Sequence, residues 1–347
     1  MVRHSDDVLW CNCQASAPLV GLEVPPDLVL EHSELARISD LHFRDPNRFV
    51  AGQVHNHPSF WHYILTSHPQ KKFLSKIIDS GVNVHNFFRP IKGRFRGQDL
   101  DAQLPSRTVI PNNCSQFTDF ISKTIIEWLQ AGSVSLWGKV DQSEPPHLVL
   151  PLTVEPSKPR VCHNERFLNL WMCDLPFTLD YIVDLPRYVL PGHFQTVFDD
   201  KNGYQHVLLD NTSRTFFGFQ WLDWYFVFRV LPFGWKASAY LYHTLAMVVT
   251  GTIRSWGIPI SQYIDDRHIG QLMQSPTVRE SRLPSQVNAE AAAYIACYFL
   301  VRAGYFIGLT KSQMVPATTV CFLGFLVDSV IQAFLIPDDF LPCCATY

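Results

Sequence analysis

The stretch Gln262-Tyr263-Ile264-Asp265-Asp266-Arg267 places two adjacent carboxylates inside an otherwise apolar segment. Ile258, Ile260 and Ile264 alternate with smaller or polar residues, which predicts a β-strand and puts the acidic pair at the turn of a short hairpin. Taken alone, this pair favours a solvated turn, because Asp is common in turns. However, neighbouring carboxylates repel each other, and burying their charges costs free energy. A further acid at the same edge would therefore indicate a bound cation.

Length and composition set the class of protein. The chain has 347 residues, which allows two or three domains or lobes. Hydrophobic residues make up 47%, which favours a large core and argues against disorder. Because the net charge is −3, binding of nucleic acid would need a local groove rather than an overall basic surface. Nine cysteines without a Cys-x-x-Cys repeat predict reduced thiols in an intracellular protein, cytoplasmic or nuclear.

The chain shows no sign of a membrane partner. No apolar run reaches roughly 18 residues, and the N-terminus lacks the apolar stretch of a signal peptide. Residues 1–110 carry many proline-marked turns, and their helical periodicity is clear only around residues 72–78. We therefore treat residues 1–110 as an N-terminal extension of unknown role.

From residue 112 onward the pattern becomes regular. An amphipathic helix is predicted over 117–131, ended by Gly132, and a strand over 194–198 leads into Asp199. Further elements are predicted in order: strands over 214–219 and 224–230, a helix capped by Ser238, the acidic hairpin, a helix over 285–303, and a last hairpin over 320–327 and 333–337. This order predicts an α+β fold, an antiparallel sheet with helices packed on one face.

Three cations, Lys158, Arg160 and Arg166, lie on or near a predicted strand and are separated by even numbers of residues. Alternation along a strand would put them on one face. Such a row suits a clamp for phosphate oxygens, since Arg donates hydrogen bonds in a planar fork. The charged face of an edge strand is the equally weighted alternative.

Six segments stand in one order along the chain: 158–169, 199–204, 231–238, 263–266, 308–312 and 322–325. Together they resemble the fingers and palm of reverse transcriptases. The resemblance implies a right-hand fold with an antiparallel palm sheet, fingers, and no thumb. It divides the chain into a fingers portion (111–192), a palm portion (193–337) and a truncated tail (338–347).

The resemblance also implies roles for single residues. It assigns catalysis and metal binding to Asp199, Asp265 and Asp266, with the backbone carbonyl of Asp200 as a further metal ligand. It assigns nucleotide binding to a second set: Lys158, Arg160, Asp200, Tyr204, Phe233, Gly234 and Lys311. It assigns the primer grip to Phe322, Leu323 and Gly324.

The implied function is an RNA-directed DNA polymerase core of a retrotransposon, most similar to the DIRS type. It would use two Mg²⁺ ions, or Mn²⁺, with deoxynucleoside triphosphates, an RNA or DNA template with its primer, and other domains of the parent element. Because the sequence ends at Tyr347, soon after the last hairpin, we also expect a truncated or degenerate copy that binds nucleic acid without catalysis as the alternative. A metal-dependent phosphohydrolase is a third reading, and it leaves the segments around Arg160 and Phe233 unexplained.

Overall fold

The computed structural model describes residues 49–112, 114–155, 159–272 and 285–337. Its α-helices are α1 (Pro58–Ile64), α2 (Lys71–Ser80), α3 (Thr118–Ala131), α4 (Lys236–Ser255) and α5 (Ser285–Arg302). Short 3-10 helices lie at Gln53–Asn56, Val84–Phe87, Ser115–Phe117, Leu168–Trp171, Ile182–Arg187, Gly203–His206 and Arg214–Phe216.

The β-strands follow in chain order. The first ten are β1 (Ile91–Phe95), β2 (Gln98–Ala102), β3 (Thr108–Val109), β4 (Val134–Lys139), β5 (Leu148–Val149), β6 (Leu152–Glu155), β7 (Arg160–His163), β8 (Gln195–Asp199), β9 (Gly218–Trp221) and β10 (Trp224–Phe228). The rest are β11 (Ile260–Tyr263), β12 (Asp266–Ile269), β13 (Gln313–Ala317), β14 (Thr319–Phe322), β15 (Phe325–Asp328) and β16 (Ala333–Leu335).

The described chain divides into two compact units. Unit A comprises residues 179–201, 246–272 and 285–337, and unit B comprises the described residues of 49–178 together with 202–245. The predicted boundary at residue 110 falls inside unit B, and the one at residue 192 falls inside unit A.

Unit B is built on a five-stranded sheet in the order β3-β5-β9-β10-β4. The pairs β3–β5 and β5–β9 are parallel, and the other two pairs are antiparallel. Gly218 begins β9 where an added Cβ would lie 2.6 Å from the carbonyl oxygen of Leu148, so the close pairing of β5 and β9 requires glycine. The strand predicted over 214–219 is wrong in its first half, because residues 214–216 form a 3-10 helix and β9 begins only at Gly218.

Unit A holds a four-stranded antiparallel sheet in the order β11-β12-β8-β13. Helix α5 contacts β8, β12 and β13. The last hairpin is a three-stranded meander, β14-β15-β16, preceded by β13, which the sequence pattern did not predict. A buried cluster joins the meander to the sheet and to the segment before β8: Leu185, Val189, Val197, Val320, Phe322 and Val327.

Helix boundaries follow local sequence only in part. Helix α3 is confirmed, and Gly132 ends it with a positive φ of 77°. The cap predicted at Ser238 is wrong, because α4 already begins at Lys236 and the Ser238 hydroxyl donates to the carbonyl of Pro232 at 2.8 Å. The mixed helix-and-sheet architecture is confirmed, whereas the division into fingers and palm stays a prediction.

Two sequence predictions concern membrane spans and disulfides. Among the described helices, none is long and apolar enough to cross a membrane. The described cysteines form no disulfides with one another.

Candidate active site

The acidic hairpin is a two-residue turn between β11 and β12. Tyr263 pairs with Asp266, so Ile264 and Asp265 form the turn and Asp266 belongs to a strand, which corrects the prediction that both acids lie in the turn. Ile264 has a φ of 54°, an unfavourable conformation for a β-branched residue, and costs roughly 1–2 kcal/mol. Two hydrogen bonds hold the turn: the Gln262 side-chain amide donates to the Ile264 carbonyl at 2.9 Å, and the Asp200 N–H donates to the Asp265 carbonyl at 2.8 Å.

Two of the predicted acids face each other across the sheet. Asp199 ends β8 directly opposite Asp266, the first residue of β12. Like charges in directly opposed positions destabilise a sheet. The Nζ of Lys311 lies 3.4 Å from Oδ1 of Asp199, but this lysine side chain is 73% exposed, so its attraction is screened by solvent. The structure thus gathers Asp199, Asp265, Asp266 and Lys311 at one edge of unit A.

Burial and mutual repulsion disfavour the ionised form of these acids. Desolvation raises the pKa of Asp199 and of Asp265 above the usual value. Desolvation, followed by the charges of Asp265 and Asp199, raises the pKa of Asp266 to about 6. A cation at this edge would favour the ionised form of all three acids and so lower their pKa values.

Asp200 differs from its neighbours, because its carboxylate is already bound. Both oxygens accept hydrogen bonds from Arg267, with the shortest at 2.8 Å, and both side chains are fully buried. The sequence motifs give no role to Arg267, and its only sequence signal is its position directly after the acidic pair. Since the side chain of Asp200 is occupied, only its backbone carbonyl fits the predicted metal role.

The donors present suit an open metal site. Among the residues that the structure describes, no group of three or more His, Cys, Asp or Glu side chains is placed to hold a metal ion, so a site here would depend on fewer carboxylates. Mg²⁺ commonly binds one or two carboxylates and completes its shell with water and phosphate oxygens. One or two of the carboxylates of Asp199, Asp265 and Asp266 would suit that mode, and Mg²⁺ binding stays a prediction.

The predicted nucleotide residues of unit B form a separate cluster. The ring of Tyr204 lies 4.8 Å from that of Phe233 and 5.6 Å from that of Tyr242. The guanidinium of Arg160 lies 5.4 Å from the centre of the Phe233 ring, a cation–π distance. Gly234 has a φ of 107°, and a Cβ there would overlap the carbonyl oxygen of His163.

The row of three cations is not present as predicted. Arg160 lies on β7, but the strand ends at His163, and Arg166 lies in the turn that follows. Lys158 falls outside the described residues. Strand alternation therefore does not place Arg166 on the same face as Arg160.

The predicted primer grip is the turn between β14 and β15. Leu323 and Gly324 have φ values of 51° and 81°, and positive φ at both central residues is typical of a type I′ turn. The ring of Phe322 is buried and lies 5.4 Å from that of His268. Phe322 therefore anchors the hairpin to the sheet, and Leu323 and Gly324 form its tip.

Comparison with known proteins supports the resemblance to reverse transcriptases. Residues 192–327 match the family model described as reverse transcriptase (RNA-dependent DNA polymerase), so this part of the chain carries a reverse transcriptase domain. Among curated proteins, none matches the chain.

Solved structures show the same fold. The chain is similar to foamy viral protease-reverse transcriptase in complex with dsDNA, with a TM-score of 0.52 and 18% identity over 81% of this chain and 56% of that one. The same viral protein in complex with an RNA/DNA hybrid gives a TM-score of 0.51 and 17% identity, over 81% of this chain and 36% of that one. The chain thus spans little more than half of the first relative and about a third of the second.

Proposed function

We propose that the chain is the core of an RNA-directed DNA polymerase that adds deoxynucleotides to the 3′-end of a primer. The observation that carries this proposal is the opposition of Asp199 and Asp266 beside the Asp265 turn, within the residues that match reverse transcriptases. The stretches 112–113, 216–221 and 234–238 further support a retrotransposon origin of the DIRS type. Its partners would be an RNA or DNA template with primer, deoxynucleoside triphosphates and further domains of the parent element, in the cell interior.

In the proposed reaction the primer 3′-oxygen forms a bond to the α-phosphorus of the nucleotide. The bond from that phosphorus to the bridging oxygen breaks, pyrophosphate leaves with its electron pair, and the 3′-hydroxyl proton passes to solvent. Asp199 and Asp265 would hold two divalent ions, with Asp266 as a secondary ligand. Such ions, Mg²⁺ or Mn²⁺, supply charge stabilisation at the attacking and leaving oxygens.

The other predicted residues contribute through their own charge and shape. Arg160 would donate hydrogen bonds to the β- and γ-phosphates, where a planar guanidinium matches two oxygens at once. Tyr204, supported by Phe233 and Tyr242, would lie under the sugar and reject a 2′-hydroxyl. Lys311 would add positive charge beside Asp199.

Primer extension on an RNA template tests the proposal. The full chain should extend an annealed DNA primer only with Mg²⁺ or Mn²⁺. Asp265→Asn should reduce extension by about a thousandfold, since it removes several kcal/mol of charge stabilisation. Asp223→Asn, at an exposed turn of unit B, is the matched control and should keep wild-type activity.

Two outcomes would contradict catalysis. One is an absence of metal-dependent extension, both for the chain itself and for the chain fused to a thumb domain. The other is extension that persists in Asp265→Asn. Salt-dependent binding of a primer–template duplex without extension would instead favour a nucleic-acid-binding protein without catalytic activity.

A further inference from the structure

We propose that the buried ion pair between Asp200 and Arg267 is a positioning device for the three acids at the metal edge. It would hold their strands in register and keep the Asp200 carboxylate from becoming a metal ligand. This inference rests on the proposed function, since it concerns the same edge. Nothing in the sequence motifs assigns a role to Arg267.

The first argument is strand register. Arg267 pairs with Phe198 on the neighbouring strand, so Asp200, two residues further along, is its diagonal neighbour. Successive side chains alternate between the faces of a strand, and a slip of one residue would exchange the faces. The ion pair therefore fixes the one register in which Asp199 and Asp266 are opposed, and its attraction offsets their repulsion.

The second argument is the support of the turn. All three guanidinium nitrogens of Arg267 donate hydrogen bonds. Nε and Nη2 donate to Asp200, and Nη1 donates to Thr250 Oγ1 at 2.8 Å and to Gln262 Oε1 at 2.9 Å. The side-chain nitrogen Nε2 of Gln262 in turn donates to the carbonyl of Ile264, in the strained turn that carries Asp265. Arg267 thus links both strands and the turn through one planar group.

The third argument is charge. Asp200 is 1% exposed and follows Asp199 directly, so without a partner it would be a fourth carboxylate at an already crowded edge. A buried charge that loses its partner is strongly destabilising. Arg267 gives the Asp200 carboxylate an opposite charge as its partner, and the Asp200 backbone N–H donates to the Asp265 carbonyl. Apart from the exposed Lys311, further positive charge for the other three acids would have to come from a bound cation.

The test compares two arginine–aspartate pairs of unit A, of which the Arg267 pair is fully buried and the Arg254 side chain is 18% exposed. Arg267→Met breaks the proposed device, and Arg267→Lys keeps the charge but cannot reproduce the planar fork. Arg254→Met is the control, because Arg254 binds Asp180 and the carbonyl of Ile260, the first residue of β11, while Asp180 keeps its hydrogen bond from the Gln262 N–H in this variant. For each full-length variant, free Mn²⁺ is titrated by electron paramagnetic resonance, and thermal unfolding and the Mg²⁺ dependence of primer extension are measured.

We expect both methionine variants to unfold at lower temperature, and Arg267→Met alone to bind Mn²⁺ at least tenfold more weakly and to need correspondingly more Mg²⁺. Arg267→Lys should recover part of the affinity. Equal Mn²⁺ affinities in Arg267→Met and wild type, or an equal loss in Arg254→Met, would overturn the inference and leave the proposed function standing. A wild-type chain that neither binds Mn²⁺ nor extends a primer would overturn both.

Discussion

Asp199 and Asp266 occupy directly opposed positions on β8 and β12, although both carry carboxylates. Their repulsion is built into the fold, because the hairpin and the buried pair of Asp200 and Arg267 hold the strands in this register. Strain of this kind is found where a ligand completes a site. Replacing Asp266 by Asn removes this repulsion and measures its cost directly.

Asp266→Asn should stabilise the metal-free protein at neutral pH. Because the pKa of Asp266 is raised to about 6, ionisation is disfavoured in the folded state. Its contribution to stability is therefore greatest in acid and is lost as pH rises from the unfolded value through about 6. Urea unfolding in EDTA should show the variant gaining on wild type across this range and keeping its advantage above it.

Asp328 provides a control of opposite sign. Hydrogen bonds from the Ile331 N–H and the Thr319 hydroxyl hold the pKa of Asp328 below its usual value. Its stabilisation is present at neutral pH and is lost as pH falls through the folded-state pKa. Asp328→Asn should therefore be less stable than wild type at pH 7, and the difference should shrink in acid. If the effect of Asp266→Asn on unfolding did not change with pH, the raised pKa of Asp266 would be contradicted.

Gly308→Ala should weaken catalysis more than folding. An added Cβ would lie 2.5 Å from Oδ2 of Asp199, so the carboxylate has to move. A displacement of about 1 Å can cost about a hundredfold in rate. We expect a loss of that order in primer extension, with unfolding changed by about 1–3 kcal/mol at most.

Gly251→Ala is the matched control in helix α4. No atom lies within 4 Å of its added Cβ, so the change should stabilise the protein by about 0.5–1 kcal/mol and leave extension unaltered. Equal extension rates in Gly308→Ala and Gly251→Ala would argue against a catalytic role for Asp199.

Gly234→Ala should disturb the Phe233 cluster of unit B. The residue has a φ of 107°, and its Cβ would overlap the His163 carbonyl, so backbone strain should cost about 1–3 kcal/mol. Because Phe233 contacts Arg160 and Tyr204, we also expect a higher KM for deoxynucleotides. Gly93→Ala, whose added Cβ meets no atom within 4 Å, should change neither quantity.

Tyr204→Ala should relax the choice of sugar. The Tyr204 ring is held by Phe233 and Tyr242, so its bulk is fixed in place. Its removal should raise kcat/KM for ribonucleotides relative to deoxynucleotides by about tenfold or more. Tyr204→Phe keeps the ring and should keep the discrimination; an unchanged ratio in Tyr204→Ala would remove Tyr204 from the sugar site.

The sequence alone predicts elements whose signals are local. Helix α3 follows from the amphipathic spacing before Gly132, and β8 from an apolar run that ends in Asp199. The hairpin of β11 and β12 follows from the alternation of Ile258 and Ile260 before the acidic pair. In each case neighbours a few residues apart carry the information, because periodicity depends on the geometry of a single helix or strand.

Contacts between distant residues were decided only by the tertiary structure. Ser238 has a capping side chain, yet α4 begins at Lys236, whose N–H donates to the side-chain oxygen of the distant Asn169. Asp200 has the same side chain as Asp199, yet one binds Arg267 and the other faces Asp266. Asp200 and Arg267 are 67 residues apart, and only strand pairing sets which carboxylate meets the buried guanidinium and which stays at the edge for a metal.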